Sequence, residues 1–151
     1  MTRTAVHSTF EIERRYKAAP ARVFAAWSTA KAKSAWFHGP DERGRKPLEL
    51  DFRVGGREVA SGTAKDGTTH RYEATYLDIA PNERFILAYV MHIDQRLISA
   101  SLMTVEVFAD GNGTRLKLTE QDAYLDGWDE GGGRERGTAD LLDQLGAALG
   151  E

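Results

Sequence analysis

The chain has no cysteine among its 151 residues. That absence excludes disulfides, zinc–thiolate sites and cysteine nucleophiles. No window approaches the roughly 20 apolar residues that a membrane span needs. The N-terminus, MTRTAVHSTFEIERRY, lacks the apolar core of a secretory signal, so the expectation is a cytoplasmic protein. An excess of charge of one sign is missing too. With 20 basic and 23 acidic residues the net charge is -3, and no global field draws the chain to nucleic acid. Phosphate loops and nucleotide fingerprints are likewise missing. The glycines of VGGR (54–57) and GNG (111–113) read as turns, and no bound cofactor is expected. There is no internal repeat and no low-complexity segment.

What is present is a normal globular balance, 41% hydrophobic and 28% charged, in a length that suits one domain over residues 1–151. From Phe10 to Lys17, Phe10, Ile12 and Tyr16 alternate with charged residues, the pattern of a half-buried strand. Arg14 falls on the apolar side. Pro20 suits a helix first turn, with Val23, Phe24 and Trp27 following at helical spacing. Ser28 or Thr29 caps a second short helix whose expected apolar face is Ala32, Ala35 and Trp36, with Gly39-Pro40 as its stop.

After a polar loop (41–47) the period becomes two. Strands are expected around Leu48, Leu50 and Phe52, then over 57–64, 70–79, 85–91, 98–108 and 114–121. The turns between them, marked by Gly55-Gly56, Asp66-Gly67, Pro81-Asn82 and DGNG (110–113), are short, so the strands must be antiparallel. From Arg134 the period returns to helical. Thr138, Leu141, Leu142, Leu145, Ala148 and Leu149 form one face, with Arg134, Glu135, Asp140 and Asp143 elsewhere on the wheel. Strand, two short helices, about six antiparallel strands and one long helix make an α+β arrangement of a sheet covered by a helix.

That order, with the phrases APARVFAAWS (19–28), AWFHGP (35–40), FRVGGRE (52–58), YEATYLDIAPNERF (72–85), GTRLKLTEQ (113–121) and GTADLLDQL (137–145), resembles the helix-grip (SRPBCC, START-like) superfamily. More narrowly it is similar to the bacterial branch related to the activator of the 90-kDa heat-shock chaperone ATPase. The resemblance implies a curved antiparallel sheet gripping the C-terminal helix, with a cavity between them and the short helices closing one end. It also implies either a carrier of a hydrophobic small molecule, lipid or aromatic polyketide-like compound, or an enzyme of cyclase or hydrolase type using the same cavity. A third implication is a co-chaperone-like partner of the chaperone, although no counterpart of the additional N-terminal domain of the eukaryotic activators is expected within these 151 residues. A homodimer is compatible with each.

Inward strand parity in such a fold nominates Tyr72, Tyr76, Tyr89, Met91, Ser101, Met103, Glu120 and Arg14 as ligand-binding residues, joined by Trp36 and Phe37 at the cavity mouth. Aromatics with a polar tip, adaptable methionines and a few polar groups are the usual lining of a small-molecule site. Arg14 and Glu120 are costly on an inward face unless paired, with each other or with Glu106 or Arg96, or unless they orient a polar ligand. Trp27 reads as a core anchor and Trp36 as the pocket residue. His70, His92 and Asp94 sketch a two-His-one-carboxylate set. With Met91 inward, however, His92 faces out and Asp94 sits in a turn, so no metal is assigned.

Overall fold

Seven antiparallel strands form a single sheet in the computed structural model, which describes residues 2–39 and 44–151. In chain order the elements are β1 (Ala5–Tyr16), α1 (Pro20–Ala25), α2 (Ala30–Ser34), β2 (Glu49–Leu50), β3 (Arg57–Thr63), β4 (Thr69–Ala80), β5 (Arg84–Ile93), β6 (Arg96–Asp110), β7 (Gly113–Leu125) and α3 (Gly133–Ala148). The sheet order is β1-β7-β6-β5-β4-β3-β2, a meander whose last long strand returns beside the first. This is the expected α+β helix-grip arrangement, with the curved sheet wrapped on α3.

Turn chemistry sets the meander. Gly67 and Gly111 take left-handed backbone angles, φ 88° and 59°, as the Asp-Gly turns require. At Gly113 a Cβ would lie 2.3 Å from the Tyr16 carbonyl, so only glycine lets β7 start this close to the end of β1. Gly132, with φ 85°, stands immediately before α3, where it turns the chain onto the sheet.

Antiparallel register arranges the inward side chains in rows across the strands. One row runs Tyr124, Ser99, Met91, Tyr72, Ala60; the next runs Asp122, Ser101, Tyr89, Ala74, Glu58; a third runs Glu120, Met103, Leu87, Tyr76. Phe85, Leu87, Val105, Leu116 and Leu118 are fully buried on the inner face of the sheet, with Phe24 and Trp27 against Phe85, and Leu142 and Leu145 of α3 belong to the same core.

Several local expectations change. The strand around 48–52 is only Glu49–Leu50, because Gly56 N–H bonds back to the Arg53 carbonyl and turns the chain early. Phe52 still packs inward, with its ring 5.0 Å from Tyr76 and 5.7 Å from Phe24. In α2 the buried residue is Lys33, while Ala35 is exposed. The helix ends at Ser34, before Gly39-Pro40, of which Pro40 lies outside the described residues. In α3, Ala148 is exposed and Arg134 turns inward, its side chain 11% accessible.

Candidate functional site

A cavity of about 860 Å³ lies between the sheet, α2 with the residues after it, the 45–48 segment and α3. Its wall carries a continuous string of rings. Trp27 and Trp36 meet edge-on at 4.6 Å, Trp36 meets Phe37 at 5.9 Å, Phe37 meets Tyr72 at 5.3 Å and Tyr72 meets Tyr89 at 5.0 Å. Met91 and Met103 add flexible apolar surface, and His70 and His38 contribute polar edges.

Local sequence explains how the α2 wall is held. Thr29 caps α2 by accepting from the Ala32 N–H at 3.1 Å. The Trp36 indole N–H donates to the Ala26 carbonyl at 3.1 Å, and Gln144 on α3 donates to the Trp36 and Phe37-adjacent His38 carbonyls at 2.6 and 3.0 Å. The wall is thereby tied to both α1 and α3.

Two polar clusters flank the aromatic string. In the first, Lys33 is buried with its Nζ 2.9 and 2.7 Å from the two oxygens of Glu58. The Tyr76 hydroxyl donates to Glu58 Oε1 at 2.6 Å, with the Tyr72 hydroxyl 3.4 Å away. The ammonium also sits 4.4 Å from the Phe37 ring centre and 5.4 Å from that of Trp27. Burial lowers the Lys33 pKa, while the Glu58 carboxylate acts in the opposite direction.

The second cluster gathers around Arg134. Its Nη1 donates to the Tyr89 hydroxyl at 2.9 Å; its Nη2 donates to Ser99 Oγ at 2.9 Å and to Glu130 at 2.6 Å. Glu120 and Asp122 approach the same Nη1 at 3.9 and 3.8 Å. Asp122 accepts from the Ser101 hydroxyl, and from Tyr124 at 3.0 Å. Glu120 is completely buried, and among the described residues neither of its oxygens has a hydrogen-bond partner. Burial, reinforced by the Asp122 carboxylate, pushes its pKa up to about 9 against the lowering effect of Tyr89 and Arg134.

Of the residues singled out from sequence, the cavity brings together Trp36, Phe37, Tyr72, Tyr89, Met91 and Met103. Trp36 is only 1% exposed, so it forms wall rather than lip, and Trp27 lines the cavity beside it. Tyr76, Ser101 and Glu120 stand behind the lining, holding Glu58, Asp122 and the Arg134 cluster respectively. Arg14 does not pair with Glu120, Glu106 or Arg96: it reaches Asp143 on α3 at 2.8 Å at the surface. His70 lines the cavity, with Nε2 3.2 Å from the Thr68 hydroxyl, and Asp94 caps the Thr69 N–H at 3.0 Å from its turn. Among the described residues no group of three His, Asp or Glu side chains could hold a metal ion. Sequence reasoning missed Lys33, Glu58, Asp122 and Arg134. Strand parity was a usable signal for Glu58 and Asp122, since both share a row with Tyr89.

Comparison with known proteins agrees with this architecture. Residues 17–150 match the family described as Activator of Hsp90 ATPase homolog 1-like protein. The solved structure of an uncharacterized protein from Rhizobium leguminosarum is 45% identical, with a TM-score of 0.93 over 99% of this chain and 98% of that one. The Mll3558 protein from Rhizobium loti is 42% identical, with a TM-score of 0.88 over 96% and 99%. CalU16 from Micromonospora echinospora, at 19% identity and a TM-score of 0.65 over 99% and 87%, shares the fold. No curated protein matches the chain in sequence. A family match over nearly the whole domain, on the helix-grip fold, shows that the chain belongs to the Activator of Hsp90 ATPase homolog 1-like family.

Proposed function

We propose that the protein binds a hydrophobic small molecule, a lipid or an aromatic compound, in the cavity between sheet and α3. The observation that carries this reading is the size and lining of that space. A volume of about 860 Å³ walled by Trp27, Trp36, Phe37, Tyr72, Tyr89 and two methionines lies in the range of small-molecule sites. The space is open to solvent on one side, so its aromatic wall is reachable by a ligand from outside. Ring edges and faces offer an incoming ring the same offset and edge-on contacts that they make with each other.

The test has two parts. Native mass spectrometry of the purified protein should show a co-purified mass, or the neutral dye Nile red should bind with a blue-shifted emission. The variant Met91→Trp, which puts a large ring into the space beside Tyr72, should abolish either signal while the protein stays folded by circular dichroism. Absence of both signals in the wild type, or a dye signal that Met91→Trp leaves intact, refutes the reading.

A further inference from the structure

The cavity is apolar along one wall but ends on a cluster with an unusual charge balance. One guanidinium, Arg134, faces three carboxyl groups, Glu120, Asp122 and Glu130. If Glu120 holds its proton the cluster is still one charge negative, and if it does not, two. Both terminal nitrogens of the guanidinium are also already engaged, Nη1 reaching Ser101 at 3.5 Å besides its shorter bond. Nη1 serves Tyr89, and Nη2 serves Ser99 and Glu130. An arginine in an apolar cavity ordinarily offers a two-pronged anchor for a carboxylate. Here that anchor is occupied, and a carboxylate brought to it meets like charge in a poorly solvated space.

The other charges around the cavity do not reverse this. Lys33 is neutralised by Glu58 in direct contact. Asp140 and Asp143 on α3 are exposed to solvent and screened, and Asp143 is bound to Arg14. Arg45 and Lys46 are exposed to solvent at the opposite side, beside His38 and His70, where water and salt screen them.

We propose that the cavity selects uncharged ligands over carboxylates, and that Asp122 and Glu130, which outnumber the Arg134 cation even when Glu120 is neutral, impose this selection at the Arg134 wall. This rests on the reading of the cavity as a ligand site and narrows it. The ligand class is a neutral ring compound bearing a hydroxyl, carbonyl or amide, and free acids are rejected.

Nile red displacement by a matched pair, 2-naphthamide and 2-naphthoate, tests the selection near neutral pH. In the wild type the amide should compete at least about tenfold more tightly than the acid, the size expected for one like-charge contact in a partly desolvated site. In Glu120→Gln/Asp122→Asn the Arg134 wall loses its excess negative charge, and the gap should close. If the double variant does not fold, Asp122→Asn alone should narrow the gap, and Arg134→Gln should widen it by removing the cation. Equal competition by acid and amide in the wild type overturns the inference and leaves the cavity reading standing. So does a gap that none of the variants changes. If neither the dye nor either naphthalene binds, the cavity reading falls and the selection falls with it.

Discussion

Glu120→Gln gives the sharpest test of the energetics, because it changes one proton site and almost no volume. The native carboxyl titrates near 9, whereas in an unfolded chain it would titrate near its ordinary 4.5. Between those values the native state holds a proton that the unfolded state has released. The stability associated with that proton is complete below about pH 4.5 and is lost progressively as the pH rises towards 9. Each pH unit inside the window is worth about 1.4 kcal/mol for a single group. From pH 6 to pH 8 the wild type should therefore lose about 2–3 kcal/mol through Glu120 alone. The glutamine variant has nothing to titrate there. Urea unfolding of both proteins at pH 6, 7 and 8 isolates the effect, because every other titrating group is common to the pair. The variant should gain about 2–3 kcal/mol on the wild type across this range, or about 5–10 °C in melting temperature for a domain of this size. Parallel pH curves for the two proteins would show that Glu120 is not held protonated, and would refute the argument.

Lys33→Met leaves Glu58 buried without its cation and should cost about 3–5 kcal/mol in urea unfolding, most of which Lys33→Met/Glu58→Gln should restore. Arg14→Ala, by contrast, breaks a pair whose side chains are 31% and 65% accessible, and should change stability by less than about 1 kcal/mol in the same assay. Gly113→Ala places a Cβ against the Tyr16 carbonyl, which is backbone on a paired strand and cannot swing away. It should separate the start of β7 from the end of β1, seen as faster amide exchange at Tyr16 and Thr114 than in the wild type.

Period and turn chemistry made the fold legible. Alternation located β3 to β7, Asp-Gly turns fixed their antiparallel sense, and the return of helical spacing near Arg134 marked α3. Strand ends were less legible. The sequence reading starts the first strand at Phe10 and ends the last at Gln121, but pairing carries them to Ala5 and Leu125. Residues 5–9 and 122–125 have too little alternation to be read alone, and they are strand because each completes the other's ladder. That is why Asp122 and Tyr124 escaped notice although they extend the inward parity of Glu120. Glu58 escaped for a related reason. In REVASGT the inward positions are Glu58, Ala60 and Gly62, and small or charged residues give no apolar signal. Lys33 and Arg134 sit on helices, where a charged residue reads as solvent-facing. Their aliphatic stems let each cross an apolar layer to a carboxylate that only the tertiary fold brings near.

Glu58 and Glu120, the two fully buried glutamates among the described residues, show what the fold by itself accounts for. Glu58 has a cation at 2.7 Å and a phenol at 2.6 Å, and its partners Lys33 and Tyr76 come from α2 and β4. Removing it would strand Lys33 inside the core, so packing of α2 onto the sheet is sufficient reason for its charge. Glu120 has no such justification. It shares its row with Met103, Leu87 and Tyr76, its facing neighbour on β1 is Phe10, and its oxygens are without hydrogen-bond partners among the described residues. A leucine there would bury more apolar surface and carry no desolvation penalty. A carboxyl that lowers the stability of the empty fold at neutral pH, 3.9 Å from the Arg134 guanidinium in the cavity wall, makes physical sense through its effect on that guanidinium and on whatever approaches it. The distinction places Glu58 with the architecture and Glu120 with the cavity's chemistry, although both are equally hidden from solvent.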